Sequence, residues 1–546
     1  MGITLQQELL QTGRKLMEET RTFEVEGRLE LPPGAPPVER VCACRARVRD
    51  LRARTEPGRV LLEGLIDTEL VYQTPAADAE LRLQPEHLAL WTKENGGAIP
   101  WAQEIPYPGI EAGAQVEAVA AAAGASLDPL EAGSFRCRVS LTAAVQDLTQ
   151  VEGKVVTEAV TQPPGGLEVA KEILRPISVL GRADVEAPVA TVLILPEIKP
   201  DLVRLVAREP RLADLTAEVA RGRIIVEGRL RVETVYVSRG EDGGEGLETA
   251  EWGGEGRTPI AFEAFLDLPG LPPEAVIEPR GALGRFNLEV IGPRELRLEA
   301  GVHVTVQAVG YRQVPVVTEI VPGAEEAADL RRIEIDCTTL AGRAAQDLSI
   351  ETTLELPPGK PDLHRIMQAW AAVPELTAQA GEGKCLVDGW LDLVLLYQAD
   401  SDGQPALAAA DWSRRFGTGI SIAEVVELPE AVPGLDASIS WHLARVDVEQ
   451  VTPRIVRVAA VVPVEIKATE KRTVSAVVDA ALVPVSPVAG RPSMLFYIIQ
   501  PHDNLWDIAR RYQTTVEAIM RVNKIAESQA AVAGRKLLIP RSPLAV

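Results

Sequence analysis

The sequence predicts a mainly β protein with three tandem β-rich, sandwich-like repeats and a small C-terminal βααβ domain. Three observations predict this fold class: two phrases recur three times in one register, apolar and polar residues alternate over long stretches, and a C-terminal segment combines strand and helix signals. The expected boundaries are repeat 1 at 1–150 with a helix-like N-terminal segment, repeat 2 at 151–312, repeat 3 at 313–470, a Pro-rich linker at 471–494 and the C-terminal domain at 495–540.

Two phrases define the repeat. The first is LPPGAPPVER at Leu31, LPEIKPDLVR at Leu195 and LPPGKPDLHR at Leu356. The second is GRVLLEGLIDTELVYQ at Gly58, GRIIVEGRLRVETVYV at Gly222 and GKCLVDGWLDLVLLYQ at Gly383. Both phrases step by 164 residues and then by 161 (31 to 195 to 356, and 58 to 222 to 383). A shared register across three copies indicates a triplicated unit of about 160 residues.

Each copy has the residue pattern of β-structure. From Arg223 to Tyr236 one parity is mostly apolar and the other mostly charged, which predicts a strand with one buried face. Gly228 interrupts the apolar parity and predicts a break or bulge. The Leu-Pro-Pro-Gly phrase predicts the end of a strand, because proline cannot donate to a central ladder.

Charge and leader patterns limit the class of protein. The formal net charge of −22 over 546 residues argues against a general nucleic-acid binder, because neutralising phosphates requires clustered Lys and Arg. The N-terminal residues carry charge throughout, and no uncharged run of 18 apolar residues occurs. We therefore expect a cytoplasmic protein without a membrane-spanning segment. Five dispersed cysteines predict no disulfide framework.

The C-terminal segment reads as a complete small domain. Phe496–Ile499 predicts a strand, Asn504 an N-cap with an apolar helical face behind it, and Thr514 with Glu517 a capping box for a second helix. Gly534 then predicts a turn into a last strand.

This segment resembles the LysM family, whose usual opening Gly-Asp-Thr-Leu-Trp-x-Ile-Ala corresponds to residues 502–509, with His502 in place of the glycine. The resemblance implies binding of an N-acetylglucosamine-containing glycan, such as peptidoglycan or its precursor, with protein docking as the alternative. The glycan-binding residues that it implies come from two loops: Pro501, His502, Asp503, Asn504, Leu505, Asn523, Lys524, Ile525, Ala526 and Glu527.

The triplicated phrases resemble the SPOCS domain of endospore-forming bacteria, and three such units before a LysM domain resemble the architecture of spore-coat morphogenetic proteins. The resemblance implies a scaffold in the mother-cell cytoplasm, at the forespore surface, whose partners include coat proteins such as a SpoIVA-like ATPase. Two alternatives are a phage-derived tail or baseplate protein and a LysM-targeted cell-wall hydrolase.

Candidates for chemistry are sparse, and we expect neither a catalytic site, a metal nor a cofactor. Cys42 and Cys44 share a parity with Ala46 and Val48, so they read as two thiols on one inward face, while Cys137, Cys337 and Cys385 are isolated in the sequence. The five histidines are dispersed, and no nucleophile-elbow, P-loop or dinucleotide-binding motif occurs. One arginine recurs in each copy, as Arg40, Arg204 and Arg365, and would either form a partner surface or satisfy a carboxylate of its own copy.

Overall fold

The computed structural model describes residues 2–13, 18–31, 35–75, 88–92, 98–131, 133–162, 167–220, 223–240, 243–254, 257–323, 326–401, 404–484, 494–501, 503–525 and 534–540. Within these residues the chain forms 28 β-strands and two α-helices. The prediction of a mainly β protein with a small helix-containing C-terminal domain is confirmed.

The strands fall into three comparable sets. The first copy contains β1 Gly2–Gly13, β2 Glu18–Glu30, β3 Arg40–Glu56, β4 Arg59–Gln73, β5 Leu88–Thr92, β6 Ile99–Pro106, β7 Val116–Glu131, β8 Ser134–Asp147 and β9 Gln150–Gln162. The second contains β10 Leu167–Leu174, β11 Ser178–Ile194, β12 Asp201–Ala220, β13 Arg223–Arg239, β14 Glu245–Trp252, β15 Ile260–Leu266, β16 Val276–Gly292, β17 Glu295–Gly310 and β18 Val314–Pro322.

In the third copy, the first strand of the ribbon and the first strand of the sandwich form one long strand, and so do the last strand of the sandwich and the last strand of the ribbon. It contains β19 Glu326–Glu355, β20 Leu363–Ala380, β21 Lys384–Ser401, β22 Gln404–Trp412, a 3₁₀ turn at Arg414–Phe416, β23 Ile420–Glu427, β24 Asp436–Trp441, β25 Arg445–Thr452 and β26 Ile455–Pro484. The C-terminal domain contains β27 Met494–Ile498, α1 Leu505–Arg511, α2 Val516–Asn523 and β28 Lys536–Pro540.

Each copy builds a sandwich of two antiparallel sheets. In the first copy the sheet β2-β8-β7 faces the sheet β3-β4-β5, on which β6 also pairs with β4. Val60 and Tyr72 of one sheet and Val139 of the other are buried in the same aliphatic core. The other two copies repeat the arrangement with their own cores, as the alternating pattern predicted.

The structure explains why the two phrases keep a constant spacing. The second phrase forms β4, β13 and β21, each the middle strand of its four-stranded sheet. The tyrosine before its last residue (Tyr72, Tyr236 or Tyr397) donates a hydrogen bond to a proline carbonyl of the first phrase, 36 residues earlier in each copy. The acceptors are Pro36, Pro200 and Pro361, at 3.3, 3.3 and 3.0 Å. These tyrosines are buried, so each hydroxyl needs a hydrogen-bond partner. Because the partner lies in the first phrase, the two phrases occur as a pair with a fixed spacing in every copy.

The predicted break at Gly228 is wrong. Strand β13 runs through this residue in unbroken pairing with Phe262, and the nearby register shift lies on β12 between Leu212 and Asp214. A Cβ at Gly228 would lie 2.2 Å from the Phe262 ring, so the glycine makes room for a packed aromatic side chain.

A third layer, which the sequence did not predict, joins the three copies. The first and last strands of each copy leave the sandwich and pair as an antiparallel ribbon: β1 with β9, β10 with β18, and the start of β19 with the end of β26. We call these three ribbons the stem. Its interior has two aliphatic clusters to which all three ribbons contribute, formed by Leu10, Val155, Leu174, Val314, Val316, Ile335, Cys337, Val474 and Ala476, and by Val156, Ala159, Val317, Ile320, Val477 and Ala480.

The stem changes two expectations about the chain. The helix-like N-terminal segment is strand β1, because residues 2–13 pair along their length with β9. Residues 471–484 of the expected linker belong to β26, and residues 485–493 lie outside the described residues. The expected boundaries at 150, 312 and 470 lie near the point where each sandwich ends and the second strand of its ribbon begins. These second strands are β9, β18 and the last part of β26.

The three sandwiches also meet one another. A separate buried cluster takes residues from every copy, including Val71 from the first, Val235 from the second and Leu396 from the third. These three are equivalent positions, 164 and 161 residues apart. The body therefore has a pseudo-threefold arrangement, with one buried cluster between the sandwiches and another two within the stem.

Candidate functional site: the C-terminal module and the seams between copies

The C-terminal domain is a βααβ unit with its own core. Strands β27 and β28 pair antiparallel, from Met494 opposite Pro540 to Ile498 opposite Lys536. The two helices bury one face each against this ribbon, and the buried residues are Ile499, Leu505, Ile508, Ala509, Ile519, Ile525, Leu537 and Ile539. The predicted order of elements is confirmed.

The first helix begins as predicted. The Asn504 side chain accepts a hydrogen bond from the Asp507 backbone N–H at 2.8 Å and donates one to the Asp507 carboxylate at 2.7 Å. The acidic side chain in the first turn also favours the positive end of the helix.

The predicted cap of the second helix is wrong by one residue. Thr515, rather than Thr514, accepts the hydrogen bond from the Ala518 backbone N–H, at 3.1 Å. Thr514 is instead buried, and its N–H donates to the Ala509 carbonyl at 3.0 Å, which closes the turn between the helices. Two adjacent threonines have the same capping preference, so the sequence alone does not separate them.

Asp503 fixes the loop between β27 and α1. Its carboxylate accepts hydrogen bonds from the Tyr497 hydroxyl at 2.5 Å and from the Gln500 backbone N–H at 2.8 Å. Arg511 donates to the same hydroxyl at 3.0 Å. The hydrogen bond from Tyr497, followed by that from Gln500, lowers the pKa of Asp503. Tyr497 and Arg511 could not be predicted as partners, because they lie 14 residues apart and meet only in the folded domain.

Asn523 fixes the other loop. Its amide donates to the carbonyls of Ile519 at 2.7 Å and Leu538 at 2.6 Å, and its oxygen accepts from the Leu538 N–H at 2.8 Å. Lys524 then leaves the helix in the left-handed conformation at φ 51°, with an exposed side chain. Asn523 therefore joins α2 to β28 and is a residue of the fold.

The predicted glycan-binding residues divide into three groups. Asp503, Leu505, Asn523 and Ile525 are engaged or buried within the domain, and Asn504 caps α1. Pro501 and Lys524 are exposed, one on each loop. His502, Ala526 and Glu527 lie outside the described residues. Contact of these loops with a sugar stays a prediction.

Comparison with known proteins identifies this module. A family model of the LysM domain matches residues 497–540, so the chain contains a C-terminal LysM domain. This supports binding of peptidoglycan or a related carbohydrate at a general level. No match was found among curated proteins or among solved structures. The family match is confined to the module.

The cysteines do not share one face as predicted. The β3–β4 register shifts between Val41 and Ala43, so Cys42 packs toward the cluster between the copies and Cys44 toward the core of its own sandwich. Cys137 is not isolated, because it hydrogen-bonds with the Cys44 thiol, and this bond, followed by burial, raises the pKa of Cys44. Burial raises the pKa of Cys42 to about 11, so both thiols stay protonated near neutral pH.

The described residues bring together no group of three or more His, Cys, Asp or Glu side chains suited to a metal ion. Neither α1 nor α2 has the length and apolar composition of a membrane-spanning helix.

The recurrent arginines lie at the seams, which we name by the copies that meet there. At seam 1/2, Arg204 donates to the Leu88 carbonyl of the first copy at 3.2 Å and lies 3.6 Å from Glu245 of its own copy. At seam 2/3, Arg365 of the third copy holds Glu248 of the second. The alternative of a carboxylate within the same copy therefore holds for Arg204, whereas Arg365 holds a carboxylate of the neighbouring copy.

Deeper in the seams lies a buried charge network. Arg45 pairs with Glu209, Arg208 lies 3.4 Å from Glu69, and Arg211 contacts both Glu209 at 3.1 Å and the Ala369 carbonyl at 2.6 Å. Burial lowers the pKa of Arg45 and Arg211. A cavity of about 1770 Å³ adjoins the network and is lined by residues of all three copies. Arg45–Glu209, Arg208–Glu69 and Arg211–Ala369 link different copies, so they favour one fixed order of the sandwiches.

The module also touches the stem. Arg510 of α1 lies 3.6 Å from Glu319 of β18. Burial, followed by the charge of the nearby Glu517, raises the pKa of Glu168 on β10, and the Val516 backbone N–H at the start of α2 opposes the rise. Both contacts are polar and use the side of the module that carries the turn between its helices.

Proposed function

We propose that the protein is a non-enzymatic scaffold in which the LysM domain binds an N-acetylglucosamine-containing glycan and the triplicated body docks proteins. The observation that carries the proposal is the attachment of a LysM domain to a body in which three copies of one unit are joined through shared buried clusters. Such a body presents three related outer surfaces, and linked modest affinities give strong attachment when the spacing permits simultaneous engagement.

The glycan half of the proposal is tested by pulldown with insoluble peptidoglycan. We expect the full chain to sediment with peptidoglycan and the chain lacking residues 494–546 to stay in solution. Lys524→Gly suits the left-handed backbone and removes an exposed side chain beside the predicted groove, so it should weaken binding several-fold without unfolding the domain. His502→Gly restores the usual residue of the family and tests whether histidine limits affinity.

Arg521→Ala is the matched control, because Arg521 is exposed on α2 and is not among the residues of the predicted groove. Sedimentation of the truncated chain would assign glycan binding to the body. Negligible binding of the full chain and of every variant would favour protein docking by the LysM domain.

We propose the spore envelope as the setting of this scaffold. The support is the resemblance of the two triplicated phrases to SPOCS domains, and the architecture is similar to that of the coat morphogenetic protein SipL, with SpoVID a more distant functional counterpart. In this proposal the protein acts in the mother-cell cytoplasm at the forespore surface and docks coat proteins such as a SpoIVA-like ATPase.

Localisation tests this setting separately from sugar binding. We expect a fluorescent fusion of the full chain to surround the forespore, and a fusion lacking 494–546 to spread through the mother cell while keeping its β-sheet circular dichroism. A uniform distribution of the full chain would contradict the setting. Release of reducing sugars from peptidoglycan by the purified protein would contradict the non-enzymatic part and favour the hydrolase alternative.

A further inference from the structure

Seam 2/3 contains a complete carboxylate site made from two copies. Glu248 of β14 lies opposite Tyr236 in the second copy. Its carboxylate accepts from both terminal nitrogens of Arg365 at 3.1 and 3.2 Å and from Lys199 Nζ at 3.0 Å. A guanidinium from the third copy and an ammonium from the second thus hold one carboxylate, a strong charge-assisted arrangement.

Seam 3/1 repeats the cations of this site and omits the acid. Arg40 is the counterpart of Arg365, and Lys360 in LPPGKPD is the counterpart of Lys199 in LPEIKPD. The residue opposite Tyr397, where Glu248 lies opposite Tyr236, is Ala408. Within the described part of the chain, no carboxylate bridges Arg40 and Lys360.

Strand β3, which begins at Arg40, packs against β22 of the third copy, so Arg40 lies at seam 3/1 as the repeat predicts. Burial lowers the pKa of Lys360, the charge of Arg40 lowers it further, and Asp411 only partly offsets the two. Arg40 also acts on Tyr397, whose pKa burial raises to about 12, just as Arg365 acts on Tyr236. Lys360 precedes Pro361, whose carbonyl accepts from the Tyr397 hydroxyl, and Ala408 of β22 lies opposite the same tyrosine. With β3 packed against β22, both cations lie on the side of seam 3/1 that carries this tyrosine.

Seam 1/2 shows that an arginine at this place can be satisfied within the chain. Arg204 has the Leu88 carbonyl and Glu245, and the counterpart of Lys199 in the first copy is Ala35, which carries no charge. Seam 3/1 is different because it keeps both cations.

We propose that seam 3/1 binds a carboxylate from outside the chain, held between Arg40 and Lys360 as Glu248 is held between Arg365 and Lys199. The ligand is either a free carboxylate or the acidic side chain of a docked protein, since both present the same group. Binding would add a charged contact between the first and third copies, as Glu248 does between the second and third, so it should stabilise the whole body. This proposal does not depend on sugar binding by the LysM domain.

The test is the thermal midpoint of the full chain in increasing sodium glutarate, with sodium chloride at matched ionic strength as the reference. We expect a saturable rise of about 1–3 °C for the wild type. Ala408→Glu copies the second copy, so it should raise the midpoint without glutarate and abolish the response. Arg40→Gln and Lys360→Gln should each fold, since both side chains are at least partly exposed, and should each lose the response.

The wild-type control site is Glu248. Glu248→Ala should lower the midpoint and add a second glutarate response, which restores part of the loss. A capped Glu-Glu peptide replaces glutarate in a parallel series: a response to the peptide alone indicates a protein partner, and a response to glutarate alone a free carboxylate. No saturable rise with either probe, or a rise that persists in Arg40→Gln and Lys360→Gln, would overturn the proposal.

Discussion

The LysM domain and the triplicated body differ in how far apart in sequence their stabilising contacts lie. In the domain, caps and turns link residues three to fifteen apart, and longer hydrogen bonds extend the β27–β28 ribbon. In the body, each ribbon pairs strands from the two ends of a copy, from Gly2 with Gln162 to Glu326 with Pro484. The domain is thus defined by local signals, and the body by contacts that form only when each whole copy has folded.

This difference predicts separate unfolding. The domain has its own core, and the Arg510–Glu319 ion pair connects it to the stem. The sandwiches, in contrast, share the stem and the cluster between the copies, so a defect in the stem should affect all three.

The largest effect is expected from a charge placed inside the stem. Val316 is fully buried among residues of all three ribbons, so Val316→Asp should destabilise the body by about 4 kcal/mol or more. Urea unfolding followed by circular dichroism measures the loss, and amide exchange of α1 and α2 should stay unchanged.

Ile173→Asp is the matched control for this variant. Ile173 lies on the same ribbon but is 63% exposed, so its substitution should change stability by less than about 1 kcal/mol. Equal losses in the two variants would show that the stem does not contribute to the stability of the body. Loss of exchange protection in the LysM helices would show that the two regions unfold together.

The next largest effect is expected in the LysM domain. Asn523→Ala removes two hydrogen bonds between α2 and β28 and one within α2, and it leaves the Leu538 N–H and carbonyl without their side-chain partner. A cost of about 3 kcal/mol is a large part of the stability of so small a domain. Amide exchange of α2 should report local unfolding, while the urea midpoint of the body stays fixed. Normal protection of α2 in this variant would contradict the role assigned to Asn523.

Sequence reasoning succeeded where contacts are local or periodic. The strands of the sandwiches, the triplication and the βααβ order followed from alternation, repeated phrases and caps. The stem was missed because the N-terminal segment has amphipathic spacing, and its conformation is decided by pairing with β9 some 150 residues away. The bulge at Cys42 was missed because it does not disturb the alternation of residue types.

The candidate site shows the same division. Its two loops could be located from the family resemblance, but the internal roles of Asp503 and Asn523 could not, because their partners Tyr497 and Leu538 lie on strands that meet only in the fold. The carboxylate site at seam 2/3 was also out of reach: Arg365 and Glu248 are 117 residues apart and belong to different copies.

A pH-dependent effect should appear in the body alone. Burial raises the pKa of Asp392 to about 6 from 3.8, with a smaller contribution from Asp411, while the Arg414 N–H bound to its carboxylate opposes the rise. The folded protein therefore binds more protons than the unfolded chain between about pH 4 and 6, so the ionised carboxyl destabilises the fold increasingly as pH rises through this window.

Asp392→Asn keeps an acceptor for the Arg414 N–H and removes the charge. Its stability relative to wild type should rise between pH 4 and pH 7.5 by up to about 3 kcal/mol, as urea unfolding at the two pH values measures. A pH-independent difference would contradict the raised pKa. The unfolding of the LysM domain should be the same in both proteins at each pH.

The smallest effect is expected from the N-cap of α2, where the choice between two adjacent threonines is tested. Thr515→Ala removes the hydroxyl that accepts from the Ala518 N–H, so it should cost about 1 kcal/mol and increase amide exchange in the first turn of α2. Thr515→Ser keeps the hydroxyl and should restore most of the loss, which separates capping from packing of the methyl group. If serine fails to restore it, the threonine acts by packing, and the domain then depends on tertiary contacts in the way that the body does.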